Sequence, residues 1–291
     1  MTPTWTSDCG RVELYHADCL DVLPTLADGS IDAVVTDPPY ACVQRNYGYW
    51  TEPEWHEYID GVMAEVQRIV TPEGSAMVLI QPNSERIGKL RTWVWDFASR
   101  WAKRWGVVQD AYWINDSALP NAGANRKHGL MRGATKYCLW FGSPKCWRDQ
   151  DAILWQESER NRLDRLGGRM RNMREIHPSG NSVNRANIAS AAGERGGVTP
   201  FNFLPIANTS NSNKHGAATP QKLMEWWVRY ICPPGGVVLD PHSGWGTCGL
   251  AAIRQGRRYI GIERDAEHYA KSVEQISDEL KQGRLPLEAS A

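Results

Sequence analysis

The sequence predicts an α/β fold, a mostly parallel sheet with helices on both faces. Three features carry this. Strand and helix patterns alternate at both ends of the chain. Two strands end on an acidic residue followed by a proline, at Asp37-Pro38-Pro39-Tyr40 and at Asp240-Pro241. A long aperiodic stretch, 145–199, separates the two alternating regions.

In chain order, Val-Glu-Leu-Tyr-His from Val12 reads as a strand and Ala17 to Gly29 as a short helix and turn. Ile31 to Thr36 reads as a buried strand of β-branched and small residues, which Pro38 and Pro39 cannot continue. Ala41 to Trp50 has no apolar period and is expected to be a mobile loop. An amphipathic helix is expected over Pro53–Val70, a strand over Ser75–Ile80 and a helix over Asn83–Trp105. Two strands, Val107–Asn115 and Thr135–Gly142, flank a polar loop, Asp116 to Arg132. From Pro220 the alternation resumes. A helix reaches Cys232, a strand ends at Asp240, a helix follows the glycine turn, a strand ends at Glu263, and a last helix starts near Asp265.

Composition bounds the function. Hydrophobic residues make up 42% and charged residues 23% of the 291, as in an ordinary globular protein. No stretch approaches the ~20 apolar residues of a membrane span, and the opening MTPTWTSDCG lacks a signal-peptide core, so a cytoplasmic protein without membrane partners is expected. Its seven cysteines include no C-x-x-C pair, which argues for reduced thiols. No His/Cys cluster has zinc spacing, so no metal is expected. Lys+Arg and Asp+Glu both number 33. Between Arg160 and Arg195, however, eight arginines face three acids. A basic, irregular segment suits phosphate contact, although a charge run is more often solvated surface.

Two constellations carry chemistry. In Val238-Leu-Asp240-Pro241-His242-Ser243-Gly244-Trp245-Gly246-Thr247, a buried strand ends at an acid, and a turn holds two glycines. Thr247 is placed to cap a helix. Glycines there let a ligand approach the backbone, and the acid can take an ammonium or a hydroxyl. Glu263 ends the next strand, where an acid commonly bonds the hydroxyls of a ribose. Together they describe a nucleoside pocket, although a glycine turn can also do no more than pack a helix. Gly249 is misplaced for the G-x-G-x-x-G of a dinucleotide oxidoreductase.

The second constellation is Asp37-Pro38-Pro39-Tyr40. An exocyclic amine on adenine or cytosine is a poor nucleophile because its lone pair is delocalised into the ring. It needs acceptors for its N–H groups, so that the nitrogen can pyramidalise. A carboxylate and a backbone carbonyl one residue apart supply them, and a tyrosine face can stack on an extruded base. As a bare strand terminator the same residues would carry no chemistry.

D-P-P-Y followed by D-P-x-x-G-x-G-T resembles the amino methyltransferases of DNA, and the order of the two motifs is that of their β class. The resemblance covers nearly the whole chain. His215-Gly-Ala-Ala-Thr-Pro220 aligns with the H-P-x-x-K-P element of that class, with Gly216 and Thr219 in place of the usual proline and lysine. Ala134 to Phe141 resembles its late hairpin strand, and His16-Ala-Asp18-Cys19 its N-terminal acid.

The resemblance implies a Rossmann-like methyltransferase fold in permuted order. A catalytic half over 1–144 and a cofactor half over 200–291 flank a target-recognition insertion at 145–199. It implies S-adenosyl-L-methionine as cofactor, double-stranded DNA as partner, a restriction-modification context, and room for a homodimer. Asp37 and the Pro38 carbonyl would hold the target amine in the rigid loop with Pro39, and Tyr40 would stack on the flipped base. Asp240 and the Gly244–Gly246 loop would bind the methionine end of the cofactor, Glu263 its ribose and Asp18 its adenine, with Cys19, Pro241, His242, Ser243, Thr247, His215 and Pro220 also at the cofactor site. Arg162, Arg169, Arg171 and Arg174 are the candidates for DNA contact.

An aspartate at the head of the motif leans toward adenine N6, with cytosine N4 as the alternative. Methylation of RNA or of a protein amide would usually place the cofactor motif first. A non-catalytic nucleotide- or DNA-binding module would not need both Asp37 and Glu263. A cytosine-C5 enzyme would want Pro before Cys, whereas here Cys232 precedes Pro233.

Overall fold

A computed structural model describes residues 1–45, 48–115, 127–131, 133–156, 195–207 and 219–282. The chain divides into two compact units, Met1–Arg148 with Asn202–Ala291, and Asp149–Phe201. The strands of the first unit are β1 (Trp5–Thr6), β2 (Val12–His16), β3 (Ile31–Thr36), β4 (Val70–Ile80), β5 (Ser84–Arg86), β6 (Lys89–Leu90), β7 (Val107–Ile114), β8 (Thr135–Gly142), β9 (Phe203–Pro205), β10 (Val237–Asp240) and β11 (Arg258–Glu263). Its helices are α1 (Cys19–Val22), α2 (Glu52–Ile69), α3 (Trp93–Arg104), α4 (Gln221–Ile231), α5 (Thr247–Arg254) and α6 (Ala266–Lys281).

Nine strands form one sheet in the order β1-β2-β11-β10-β3-β4-β8-β7-β9. The five from β2 to β4 are mutually parallel. Strand β8 is antiparallel to both of its neighbours, β4 and β7. The late strands β10 and β11 are therefore threaded between the early strands β2 and β3. From β3 the chain moves on to β4, and from β10 it moves the other way to β11. The carboxyl ends of β3 and β10 thus meet at a switch point, where ligands bind in open α/β sheets.

Both sheet faces are covered. Val34, Ala76, Val78 and Ile80 belong to a core shared with Trp55, Ile59, Val62 and Val66 of α2 and with Trp93, Phe97 and Trp101 of α3. Ala33, Val35, Met77 and Leu79 are equally buried but alternate to the opposite face. Double burial explains why these strands read as continuous apolar runs. Helix α2 starts at a capping box, in which Thr51 accepts from Glu54 N and Glu54 reaches back to Thr51 N at 2.8 Å.

The structure corrects two expectations. The helix expected over Asn83–Trp105 begins only at Trp93. The preceding residues form the β5–β6 hairpin, which turns at Gly88 with φ +80° and closes through Arg91 N to Asn83 O at 2.9 Å. Ile87 and Leu90 continue the helical spacing of Val94, Phe97 and Trp101, but they lie exposed in the hairpin, and only the residues from Trp93 on are buried. Thr247 does not cap α5. Gly246, at φ +83°, is the cap residue and Thr247 the first helical one. A Cβ on Gly246 would stand 3.1 Å from that of Ser272 in α6, so this glycine serves packing as well as the turn.

The loop over Ala41–Trp50 is tied at its base, where Cys42 N donates to Trp50 O at 2.7 Å. In the second unit, Trp155 and Val198 exchange backbone hydrogen bonds of 2.9 Å, and Arg195 pairs with Asp151. Arg162, Arg169, Arg171, Arg174 and His215 lie outside the described residues, as does most of the loop Asp116 to Arg132. No described helix is long and apolar enough to cross a membrane.

Candidate active site

A cavity of about 630 Å³ opens at the switch point, within the range of small-molecule sites. Its lining joins the two motifs. Asp37, Pro38, Pro39 and Tyr40 contribute from the end of β3. Asp240, Pro241, His242, Ser243, Gly244, Trp245 and Thr247 contribute from the end of β10, and Glu263 from the end of β11. Cys19 lines it too, but Asp18, Gly246 and Pro220 do not. Asp18 instead caps α1 through Leu20 N at 3.0 Å, and Arg264 lies 3.6 Å from its other oxygen. Pro220 is the buried residue preceding α4.

Asp37 is held from several elements. Its Oδ2 accepts from Lys136 Nζ of β8 and from Thr219 Oγ1 just before α4, both at 2.6 Å, and its Oδ1 accepts from Tyr40 OH at 3.2 Å. The Pro39 carbonyl accepts from Nε1 of the fully buried Trp55 at 2.6 Å, which pins the loop to α2. The carbonyl of Pro38 has no hydrogen-bond partner among the described residues. This leaves an acceptor available one residue from the carboxylate.

Asp240 is 2% exposed, and its Oδ1 accepts from Thr36 Oγ1 at 2.7 Å and from His242 N at 3.0 Å. The strand register explains this, since Leu239 pairs with Val34 and brings Thr36 beside the β10 tip. Because the Thr36 hydroxyl is spent on the carboxylate, its oxygen must accept from His242 Nδ1–H, 3.0 Å away. Nε2 is then bare and accepts from Tyr58 OH at 2.8 Å, and Cys19 Sγ lies 3.1 Å from that hydroxyl. Burial, with a smaller effect from Arg264, pushes His242 down to about 3, so the ring is neutral. Burial pushes Asp240 up to about 7, partly offset by the Thr36 hydroxyl, and pushes Cys19 up to about 12.

Glu263 spans the glycine turn. Gly244 N donates to one oxygen at 2.8 Å and Asp265 N to the other at 2.7 Å. Gly244 has φ +53°, and a Cβ there would meet only the His242 carbonyl, 4.0 Å away, so the backbone is open to the cavity. The tryptophans divide by place. Trp55 is core, Trp50 packs edge-on to Tyr58 with ring centroids 4.1 Å apart, and Trp245 meets the cavity.

Reading the motifs alone missed Lys136, Trp113 and Tyr58. A lone lysine in the otherwise apolar Tyr-Cys-Leu-Trp-Phe strand was the available signal for the first. Thr219 stood out only as a departure from a lysine. Among the described residues no His/Cys/Asp/Glu group could hold a metal ion.

A family model described as DNA methylase, for N6 and N4 methyltransferases, matches residues 31–274. The chain belongs to the N6/N4 DNA methylase family. This methylase is 27% identical over 307 residues to the type II methyltransferase M.PvuII of Proteus hauseri, covering 95% of this chain and 86% of the relative. It is 24% identical over 277 residues to the DNA adenine methyltransferase YhdJ of Escherichia coli (strain K12), covering 90% and 82%. Among solved structures, the PvuII DNA methyltransferase (cytosine-N4-specific) matches at TM-score 0.69 and 21% identity, over 97% of this chain and 94% of that one. The M1.HpyAVI–SAM complex matches the methylase at TM-score 0.53 and 20% identity, over 91% and 98%.

Proposed function

We propose that the methylase transfers the methyl group of S-adenosyl-L-methionine to N6 of adenine in double-stranded DNA, acting on a base flipped out of the duplex. The observation that carries this reading is Asp37. It is a carboxylate fixed by three donors, with the Pro38 carbonyl, unpartnered among the described residues, one position along, at the wall of a cavity of about 630 Å³. The cavity also suits the cofactor, with two acids on its wall and a glycine turn open to it.

The cofactor supplies an electrophilic methyl group on a sulfonium and leaves as a neutral thioether. The chain's residues prepare the nucleophile. Asp37 and the Pro38 carbonyl accept the two N–H bonds of the amine, so its lone pair leaves conjugation and aims at the methyl carbon. As the N–C bond forms, the amine nitrogen becomes cationic beside the Asp37 carboxylate, which stabilises that charge until a proton is lost to solvent. Asp240 takes the ammonium or a hydroxyl of the cofactor, and Glu263 the ribose.

Methylation of cytosine N4 is the second reading, favoured by the likeness to the cytosine-N4-specific PvuII enzyme. Both are tested together by incubating plasmid DNA with the protein and cofactor, digesting it to nucleosides and identifying the methylated one by mass spectrometry. N6-methyladenine is expected, N4-methylcytosine would move the assignment to the second reading, and unmodified DNA would refute both. Sequencing the modified plasmid gives the target site.

A further inference from the structure

Lys136 is 8% exposed, yet Asp37 takes one of its three ammonium hydrogens and the other two have no acceptor among the described residues. The Tyr40 and Trp113 rings lie near it, with centroids 5.5 Å and 5.8 Å from Nζ. Strand pairing sets this position, since Trp113 of β7 is the register partner of Lys136. A donor with hydrogens unused among the described residues thus stands 2.6 Å from the acceptor that takes the target amine, beside two aromatic rings that line the same cavity.

We infer that Lys136 is a specificity residue, and that with Asp37 it reads the amidine edge of the flipped base. Asp37 accepts from the exocyclic amine, while Lys136 donates to the ring nitrogen on the same carbon, N1 of adenine or N3 of cytosine. This rests on the proposed amino-group methylation and adds to it what the pocket rejects. Flipped bases are read largely by hydrogen bonds on that edge.

Asp37 alone would accept any amine, including N2 of guanine. On the Watson–Crick edge the neighbour of N2 is the N1–H of guanine, a donor that would confront the ammonium. Thymine and guanine also carry a carbonyl oxygen beside a ring N–H, which opposes both members of the pair. On the Watson–Crick edge, adenine and cytosine alone offer an amine beside a bare ring nitrogen; the bare N3 of guanine also adjoins N2, but on the sugar side of the ring. The pair therefore excludes two bases and leaves the choice between the other two to pocket size and to the DNA contacts.

Lys136 could instead serve only to hold Asp37, and the two roles separate experimentally. Duplexes carrying the target site are made with the natural base or with a ring-nitrogen-to-CH analogue, 1-deazaadenine for an adenine target and 3-deazacytosine for a cytosine target. Each is assayed with the wild type and with Lys136→Met. The wild type should lose roughly tenfold or more in kcat/KM on the analogue, the discrimination expected of one good base contact. Lys136→Met should lose a similar factor on the natural base and little more on the analogue.

Equal wild-type turnover of base and analogue would overturn the inference. So would losses from substitution and analogue that simply multiply, the result of a merely structural lysine. If Lys136→Met does not fold, the wild-type comparison still decides. For an adenine target, 7-deazaadenine, which leaves this edge intact, is the control. Failure of the wild type to methylate any natural duplex would refute the enzymatic assignment itself.

Discussion

Asp240 predicts opposite pH responses for the stability of the free protein and for its affinity for cofactor. Its carboxyl is pushed from an ordinary 3.8 up to about 7, chiefly by burial. A carboxyl with a raised folded value binds its proton more tightly in the native state. Between roughly pH 4 and 7 the folded chain holds a proton that the unfolded chain has lost. Stability from this group is fully present below that window and lost as pH rises through 7, by on the order of 4 kcal/mol at most.

Cofactor affinity should run the other way, because an ammonium or hydroxyl donor needs the ionised form. Affinity should weaken about tenfold per unit below pH 7. His242, pushed down to about 3, stays neutral and does not contribute. Thr36→Val removes a 2.7 Å hydrogen bond to the carboxylate at nearly constant volume. Such bonds to charged groups contribute about 1.5–3 kcal/mol, so the midpoint should rise by about 1–2 units. Titration calorimetry of S-adenosyl-L-methionine from pH 5.5 to 8.5 measures this, with Asp240→Asn correcting for the ligand's own titration. A wild-type profile parallel to that of Asp240→Asn, or an unmoved midpoint in Thr36→Val, would refute the reasoning.

Asp37→Ala should lower methylation by on the order of 10²-fold or more while cofactor binding persists, as single-turnover assays beside calorimetry would show. Trp55→Phe keeps the core ring but leaves the Pro39 carbonyl without its donor, so melting should shift down by a few degrees, for about 1–3 kcal/mol, and turnover should fall. Glu263→Ala should weaken cofactor affinity and increase amide exchange at Gly244 and Asp265, whose N–H groups it accepts. Alanine at Arg162, Arg169, Arg171 or Arg174 should act in one of two ways. Loss of a phosphate contact weakens all DNA alike and flattens the salt dependence, while loss of a base contact relaxes the methylated motif at one position. No change in affinity or motif would remove those arginines from recognition.

Local pattern alone was enough to find the strands that bear the site. A doubly buried strand is a run of apolar residues, and proline after an acid marks its end, so β3 with Asp37 and β10 with Asp240 were legible without coordinates. The two motifs could be paired because glycine turns and acid tips follow from backbone sterics. Pattern misled where a feature depended on more than one segment. Helix periodicity ran from Asn83 because nothing local marks Gly88 as the turn of a hairpin. Tertiary structure alone decided how the halves interleave. It set β10 beside β3, brought Thr36 onto Asp240, and carried Lys136 and Thr219 onto Asp37 from positions 99 and 182 residues further along the chain. Hydrogen bonds across such separations leave no period in a sequence, because their geometry is set by sheet register rather than by the residues between.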